Sequence, residues 1–273
     1  RARLGFAGIS QKQVSKSGFF ANCRSKWFKN YLIGWFINHY HVDMSKAFEP
    51  DPAKYATFND FFTRKLDWSK RQIDLSENSI ISPADGKISQ FGQVHEDYLI
   101  QAKGISYSLE NLLGDKDANQ FKSGDFMTIY LSPRDYHRVH MPIDGALISM
   151  RYIPGRLFSV NEVTAEAVPG LFTKNERLVC YFKTKIGVVA VIMVGAMIVA
   201  GIHTAWIDKV TPNRYSGIQF WEYQNKILKK AEEMGHFELG STVILLFPED
   251  SVQWSNNLLV GSSVSFGQSI ASL

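Results

Sequence analysis

Beyond residue 66, short apolar runs alternate with turn signals, and this pattern predicts strands. The runs are rich in Val, Ile and aromatic residues and are bounded by Gly, Pro, Asn or Asp. The predicted strands are Gly86–Gln93, Asp125–Leu131, Ala146–Ile153, Leu178–Thr184, Val188–Val194, Met197–His203 and Thr242–Phe247. Because the runs are short and closely spaced, we expect a largely antiparallel β-sheet or barrel.

Two longer segments require a choice between helix and strand. The apolar stretch from Ile186 to Ile202 is shorter than the roughly 20 residues of a transmembrane helix. Its Val, Ile and internal glycines favour two buried strands with a bend near Gly195-Ala196. The stretch from Trp221 to Met234 contains several residues of high helix propensity and predicts a helix.

The N-terminal region has a helical pattern instead. Thr57 is a predicted N-cap for a short helix through Phe61-Phe62. Upstream, aromatic and apolar residues recur at helical spacing, at Trp27, Phe28, Tyr31, Leu32, Trp35, Phe36 and Tyr40. We therefore expect an α+β protein, with a basic, aromatic helical region over 1–65 and a β-rich catalytic domain over 66–273.

The N-terminal region and the rest of the chain also differ in net charge. The chain of 273 residues has a net charge of +4, yet residues 1–42 carry +7 and no acidic residue, which leaves −3 for the rest. The seven cations are Arg1, Arg3, Lys12, Lys16, Arg24, Lys26 and Lys29. Basic and aromatic residues on one helix favour binding to an anionic phospholipid membrane surface. Packing of the helix on the core is the alternative, and a nucleic-acid partner is not expected because no binding motif accompanies the charge.

Candidate chemistry lies in three segments. Gly240-Ser241 directly precedes a predicted buried strand, where the serine hydroxyl can attack the preceding carbonyl and glycine permits the backbone conformation required. An ordinary turn is the alternative. Two further segments offer a base and an acid that orients it: Tyr136-His137-Arg138-Val139-His140-Met141-Pro142 and Pro83-Ala84-Asp85-Gly86.

In order and spacing, these segments resemble the phosphatidylserine decarboxylase family in its bacterial, membrane-associated, pyruvoyl-dependent form. The resemblance covers most of the chain and includes Thr57–Arg64, Leu131–Asp135 and Pro154–Asn161. It implies a zymogen that cleaves itself between Gly240 and Ser241 into a large and a small chain. It also implies a carboxy-lyase that converts phosphatidylserine to phosphatidylethanolamine at the cytoplasmic side of the cell membrane, as a peripheral protein. A homodimer is compatible with it. The first residue is Arg rather than Met, so we expect a short N-terminal piece to be missing.

The expected cofactor follows from the same resemblance. Decarboxylation of an amino acid leaves an electron pair that no ordinary side chain accepts, and pyridoxal phosphate on a lysine is the usual acceptor. The sequence has no phosphate-binding glycine-rich loop beside a candidate lysine. The resemblance implies instead a pyruvoyl group derived from Ser241, without pyridoxal phosphate and without a metal.

Roles can be assigned to individual residues. We expect His140, oriented by Asp85, to take the proton of Ser241 during cleavage, as the base does in a Ser-His-Asp triad. The resemblance implies that His137 is the acid of turnover and that Ser159 and Tyr130 line the substrate site.

Each assignment has an alternative. The histidines can be structural or, with an aspartate, part of a metal site, and Asp85 can be a turn residue. Ser159 can be a turn hydroxyl and Tyr130 a core aromatic residue. Cys23 and Cys180 match no metal or redox spacing and are expected to be reduced thiols.

Two other functions compete with the decarboxylase. A serine hydrolase could use Ser241, His140 and Asp85 without self-cleavage, although Gly-Ser-Thr lacks the Gly-x-Ser-x-Gly elbow of the commonest hydrolase fold. A non-catalytic lipid-binding module would explain the N-terminal region and leave both histidines without a role.

Overall fold

The computed structural model describes residues 21–114, 118–196, 201–207, 209–210, 217–238 and 240–273. In these residues the α-helices are α1 (Lys26–Tyr40), α2 (Phe58–Phe62), α3 (Leu109–Leu113), α4 (Glu162–Ala167) and α5 (Leu171–Lys174). Short 3-10 turns occur at Pro52–Lys54, Trp68–Lys70 and Ala118–Phe121. The strands are β1 (Ser79–Ile81), β2 (Gly86–Gln93), β3 (Tyr98–Ala102), β4 (Ile105–Ser108), β5 (Asp125–Leu131), β6 (Arg138–His140), β7 (Gly145–Ile153), β8 (Arg177–Thr184), β9 (Gly187–Gly195), β10 (Ile202–Thr204), β11 (Gln219–Leu228), β12 (Glu233–Phe237), β13 (Ser241–Phe247), β14 (Gln253–Trp254), β15 (Ser263–Val264) and β16 (Ser269–Ser272).

An eight-stranded antiparallel sheet organises the β-rich part, in the order β11-β7-β8-β9-β13-β5-β2-β15. Smaller sheets have the orders β10-β12-β6, β1-β16-β14 and β3-β4. The large sheet has two edges and is not closed into a barrel, so the expected α+β class and antiparallel sheet are confirmed in the open-sheet form.

The central strands are buried on both faces. Along β13, Val243, Leu245 and Phe247 belong to one hydrophobic cluster, and Ile244 and Leu246 belong to a second. Because successive side chains of a strand point to opposite faces, the two clusters cover the two sides of the sheet. This explains why β13 and its neighbour β9 have continuous apolar sequences rather than alternating ones.

Most predicted strands are confirmed, two of them with identical bounds, β2 and β5. The segment predicted over Met197–His203 falls partly outside the described residues, and its end lies in β10. The helix predicted over Trp221–Met234 is wrong, because this stretch forms β11, a turn and β12. Strand β11 pairs with β7 but changes register between Glu222 and Lys226, where Asn225 has a φ of 62°. This bulge interrupts the two-residue alternation that identifies a strand.

The N-terminal helices pack together through one face of α1. Ile33 and Phe36 are buried there against the phenylalanines of α2. Thr57 accepts a hydrogen bond from the backbone N–H of Asp60, so the predicted N-cap is confirmed. The division of the chain at residue 65 stays a prediction. Of the helices in the described residues, none is both long and apolar enough to cross a bilayer.

Candidate active site

Ser241 is the first residue of β13 and is completely buried. It lies between two neighbouring strands, opposite Leu131 of β5 and Gly195 of β9. The preceding Gly240 has a φ of 40°, in the left-handed region that favours glycine. A Cβ built at Gly240 would meet no other described atom within 4 Å, so the need for glycine is conformational rather than steric.

His137 is the histidine that contacts Ser241. Its Nδ1 lies 3.4 Å from Ser241 Oγ, and its Nε2 lies 3.0 Å from the carbonyl oxygen of Ser132. A carbonyl oxygen can only accept, so Nε2 carries the ring proton and donates it to Ser132. The lone pair of Nδ1 therefore faces the serine hydroxyl, which is the arrangement required of a general base.

The surroundings of His137 keep its ring neutral. The residue is fully buried, and burial lowers its pKa to about 3, with the charge of Arg64 acting in the same direction. Phe62 of α2 stacks on the ring with 4.1 Å between centroids. At neutral pH, His137 is therefore unprotonated and able to accept a proton.

A tight turn orients the carbonyl group of Ser132, which accepts the hydrogen bond from Nε2 of His137. The Asp135 carboxylate accepts hydrogen bonds from both the backbone N–H and the hydroxyl of Ser132, each at 2.7 Å. These bonds hold the turn whose Ser132 carbonyl fixes the tautomer of His137. The segment that includes Ser132 and Asp135 was visible in the sequence, but their part in orienting the histidine was not predicted.

His140 lies in a different environment. Its Nδ1 is 2.8 Å from the carbonyl oxygen of Ala231 and therefore donates, and its Nε2 accepts from the Tyr136 hydroxyl at 2.9 Å. The ring of Phe266 stacks on it with 3.8 Å between centroids. Burial lowers the pKa of His140 to about 4. Both nitrogens already have partners, so this ring has no lone pair left for Ser241.

Asp85 forms an ion pair with Arg71 instead of a hydrogen bond with His140. Both of its carboxylate oxygens accept from the Arg71 guanidinium, and Oδ1 also accepts from the backbone N–H of Phe266 at 2.7 Å. Among the described residues, the expected chain of hydrogen bonds from Asp85 through His140 to Ser241 is not formed. Asp85 is linked to His140 only indirectly, because Phe266 contacts both. Arg71 had not been predicted, since it lies outside every recognised segment.

The two candidate substrate residues lie on elements that flank Ser241. Tyr130 is half-buried on β5, opposite Thr242, and burial raises the pKa of its hydroxyl. Ser159 lies in the loop after β7, directly beyond Phe158. The Asn175 amide donates to the carbonyl oxygens of Phe158 and Gly195, both at 2.9 Å, and so ties this loop to the strand end beside Ser241. Asn175 was not predicted from the sequence.

No group of three or more His, Cys, Asp or Glu side chains that could hold a metal ion occurs in the described part of the chain.

The chain is similar to known proteins of one family. The model of the family described as "Phosphatidylserine decarboxylase" matches residues 58–272, and a short model described as "PSD" matches residues 17–41. The chain is similar to the "Phosphatidylserine decarboxylase proenzyme" of Pseudomonas fluorescens (strain SBW25), with 48% identity over 93% of this chain and 91% of the relative. It is 49% identical to the protein of the same name from Francisella philomiragia, over 96% and 93% of the two chains. The protein of that name from Psychromonas ingrahamii is 50% identical, over 89% and 86%.

Proposed function

The chain belongs to the phosphatidylserine decarboxylase family, and from this we propose that it is a proenzyme that cleaves itself and then converts phosphatidylserine to phosphatidylethanolamine and carbon dioxide. The observation that carries the proposal is the contact between a neutral, buried histidine and the serine of a Gly-Ser step, 3.4 Å from Nδ1 of His137 to Oγ of Ser241. This contact supports the assignment of His137 as the base, and of Ser241 as the nucleophile, of self-cleavage.

We assign the first proton transfer of cleavage to His137 rather than to His140. Nδ1 of His137 takes the Oγ proton, and Oγ attacks the carbonyl carbon of Gly240. The C–N bond of the peptide breaks, its nitrogen takes up a proton, and an ester joins Gly240 to Oγ of Ser241. Loss of the Cα proton of Ser241 then expels the Gly240 carboxylate and leaves dehydroalanine, which water converts to a ketone with release of ammonia.

The residues around position 241 fit the pyruvoyl group that the family implies. The group is made from Ser241 itself, and the left-handed Gly240 and the buried, neutral His137 are what its formation requires. When formed, it supplies the electron acceptor that decarboxylation needs. In turnover, Nδ1 of His137 would take a proton from the incoming substrate ammonium group and return it at the end of turnover, so the ring carries a charge only between these two steps. The histidine thus serves both stages in this proposal.

Cleavage would leave the two chains held together by the sheet. The small chain, 241–273, begins with β13, whose backbone pairs with β5 on one side and β9 on the other. Both neighbours belong to the large chain, 1–240. We therefore expect the new N-terminus to stay at the centre of the sheet, beside His137.

Intact mass measurement tests this function. The unmodified protein should yield chains 1–240 and 241–273, the second with a blocked N-terminus, and should release carbon dioxide from phosphatidylserine. Ser241→Ala should remain a single inactive chain. Ser262→Ala, which alters a serine in a surface turn, is the matched control and should cleave normally. An uncleaved unmodified protein that hydrolyses esters would support the serine hydrolase instead.

The exposed face of α1 supports peripheral attachment to a membrane. Trp27 is 79% exposed, Tyr31 65% and Trp35 47%, and the three occupy positions one turn apart along the helix. Exposed Arg24 and Lys26 lie at its N-terminal end. We propose that this face lies in the interface of an anionic membrane on its cytoplasmic side.

One of the predicted basic contacts has a different role. Lys29 is buried, and its ammonium group donates to the carbonyl oxygens of Ala53 and Tyr55. It therefore fixes the loop after α1 and is not free to contact lipid. Lys12 and Lys16 lie outside the described residues.

Vesicle binding tests the attachment. Replacing Trp27, Tyr31 and Trp35 together by Ser should abolish most binding, because each aromatic ring removed loses burial in the interface. Replacing Arg24 and Lys26 by Gln should cost about 1 kcal/mol per charge on anionic vesicles. Leu259→Ser, which removes a side chain 68% exposed on another loop, is the control. Equal binding to neutral and anionic vesicles would contradict the electrostatic part.

A further inference from the structure

Arg64 is a buried cation with unused hydrogen-bond donors. The residue is 4% exposed, and its Nη2 donates to the carbonyl oxygen of Arg134 at 3.1 Å. Its Nε and Nη1 are buried without a hydrogen-bond partner, and no carboxylate of the described residues forms an ion pair with it. Burial lowers the pKa of Arg64. Because a buried charge without a counter-ion is unfavourable, an anion bound beside Arg64 would stabilise this arrangement.

The fold satisfies a comparable arginine elsewhere without an anion. Arg177 is equally buried, but its guanidinium donates to four backbone carbonyl oxygens, those of Leu112, Thr173, Asn175 and Asn111. Unused donors are therefore not a general feature of buried arginines in this chain. Among the described residues, Arg71 also has a buried Nε without a hydrogen-bond partner, but both of its Nη atoms donate to the Asp85 carboxylate. Of these two arginines, only Arg64 lacks a counter-ion.

Arg64 lines a cavity of about 290 Å³ that is rich in cations. Lys46, Arg71 and Arg134 also line it. Its carboxylates already have partners: Asp85 pairs with Arg71, Asp135 accepts from Ser132 and lies 3.9 Å from Arg134, and Asp43 accepts from Ser45. Arg64 is thus the buried charge of this cavity that lacks a counter-ion among the described residues.

The walls of the cavity include segments that are adjacent in sequence to α1 and to His137. One wall contains His41, Asp43 and Lys46, in the segment directly after α1. Another contains Asp135 and Tyr136, which directly precede His137. A lipid whose acyl chains stay in the bilayer beside α1 could therefore place its headgroup here and its amine near position 241.

We propose that this cavity binds the phosphodiester of a phospholipid headgroup, with Arg64 as the principal contact; the proposal rests on the function proposed above. Arginine is well suited to phosphate, to which it donates charge-assisted hydrogen bonds. The substrate carboxylate is the poorer occupant. It must leave as neutral carbon dioxide, and pairing it with a buried cation would stabilise the ground state more than the transition state.

Binding of soluble headgroups to the uncleaved Ser241→Ala chain provides the first test. Glycerophosphoethanolamine should raise the melting temperature, and ethanolamine, which lacks the phosphate, should not. Adding Arg64→Gln should remove the shift. If inorganic phosphate alone gives the same shift at the same concentration, the cavity is a site for free phosphate and the headgroup assignment is overturned. A shift that persists in Arg64→Gln overturns the role of Arg64.

Kinetics of the cleaved enzyme provide the second test. For a short-chain phosphatidylserine, Arg64→Gln should raise KM about 10- to 100-fold with a much smaller change in kcat, since the contact is made in both ground and transition states. Arg64→Lys should recover part of the affinity. Arg151→Gln, which alters a half-buried arginine of β7 outside the cavity, should leave KM unchanged.

The two proposals can fail separately. If the unmodified protein neither cleaves nor releases carbon dioxide, the proposed function is wrong. If it does both and Arg64→Gln has an unchanged KM, only the headgroup site is wrong. Should Arg64→Gln not fold, Arg134→Gln replaces it, because that side chain is 62% exposed at the same cavity, and an unchanged KM there would count equally against the proposal.

Discussion

His137 and His140 lie three residues apart and are both buried, but they use their ring nitrogens differently. His137 donates from Nε2 to a carbonyl and leaves the lone pair of Nδ1 facing Ser241. His140 donates from Nδ1 to Ala231 and accepts from Tyr136 at Nε2. Burial depresses the pKa of both rings. If His137 is the base, as proposed, the feature that distinguishes it from His140 is the unused lone pair, and neither the burial nor the pKa separates the two histidines.

The backbone produces this difference. His137 directly precedes β6 and His140 ends it, so the segment between them is extended. Residues three positions apart in extended backbone point to opposite sides. One ring is therefore directed to the start of β13, and the other to Phe266 and the turn at Ala231.

The largest expected effect separates the two histidines during self-cleavage. His137→Ala should slow cleavage by at least about 10³-fold, the scale of losing the base of a catalytic triad. His140→Ala should still cleave, at a rate lowered only by reduced stability, because it leaves the Tyr136 hydroxyl and the Ala231 carbonyl without their partner. Intact mass measured over time on freshly synthesised precursor gives both rates. The reverse order would show that His140 acts on Ser241 in the reactive conformation.

Turnover offers a second comparison for the same pair. Cleaved protein that carries His137→Gln, obtained from the residual slow reaction, should release carbon dioxide about 10²- to 10⁴-fold more slowly, as expected for a missing general acid. The corresponding His140→Gln protein should turn over at nearly the unmodified rate. Normal turnover by the His137→Gln protein would remove His137 from this stage and leave it a role in cleavage alone.

The sequence predicts the strands better than it predicts the contacts between them. Runs such as Asp125–Leu131 are local and visible in a window of a few residues. Which histidine meets Ser241 depends on β13 inserting between β5 and β9, a pairing of distant segments. The family resemblance identified Asp85, His137, His140 and Ser241 as site residues. It could not show which of them form hydrogen bonds with one another. No sequence pattern marks Arg71, because its role arises only when folding places it beside Asp85.

A smaller effect is expected from Asp85→Asn. The ion pair with Arg71 is largely buried, with side chains 17% and 8% exposed, and removing one partner leaves a buried cation. Such losses reach about 3–5 kcal/mol for fully buried pairs, and residual solvent access here should reduce the cost. Urea unfolding of Asp85→Asn in the Ser241→Ala background measures it, and Arg71→Gln should recover part of it. If Asp85→Asn in the chain that retains Ser241 lost cleavage while the stability was unchanged, Asp85 would instead act in the chemistry.

The smallest effect concerns pH and tests whether His137 is neutral. With a pKa of about 3, its ring stays unprotonated from pH 8 to pH 5, so the cleavage rate should be nearly constant over this range.

The stability of the folded chain should nevertheless decrease as the pH falls. The folded pKa values of His137 and His140, about 3 and about 4, lie below the ordinary 6.5, so the unfolded chain binds more protons as pH falls below about 6.5. Glu233 and Glu238, whose pKa values are lowered to about 2, add losses only below about pH 4.5. Between pH 6.5 and 5, therefore, the urea midpoint of Ser241→Ala should decrease while the cleavage rate of the unmodified chain does not. A cleavage rate that instead halves near pH 6.5 would mean that the base has an ordinary histidine pKa, and the buried, neutral His137 would not be that base.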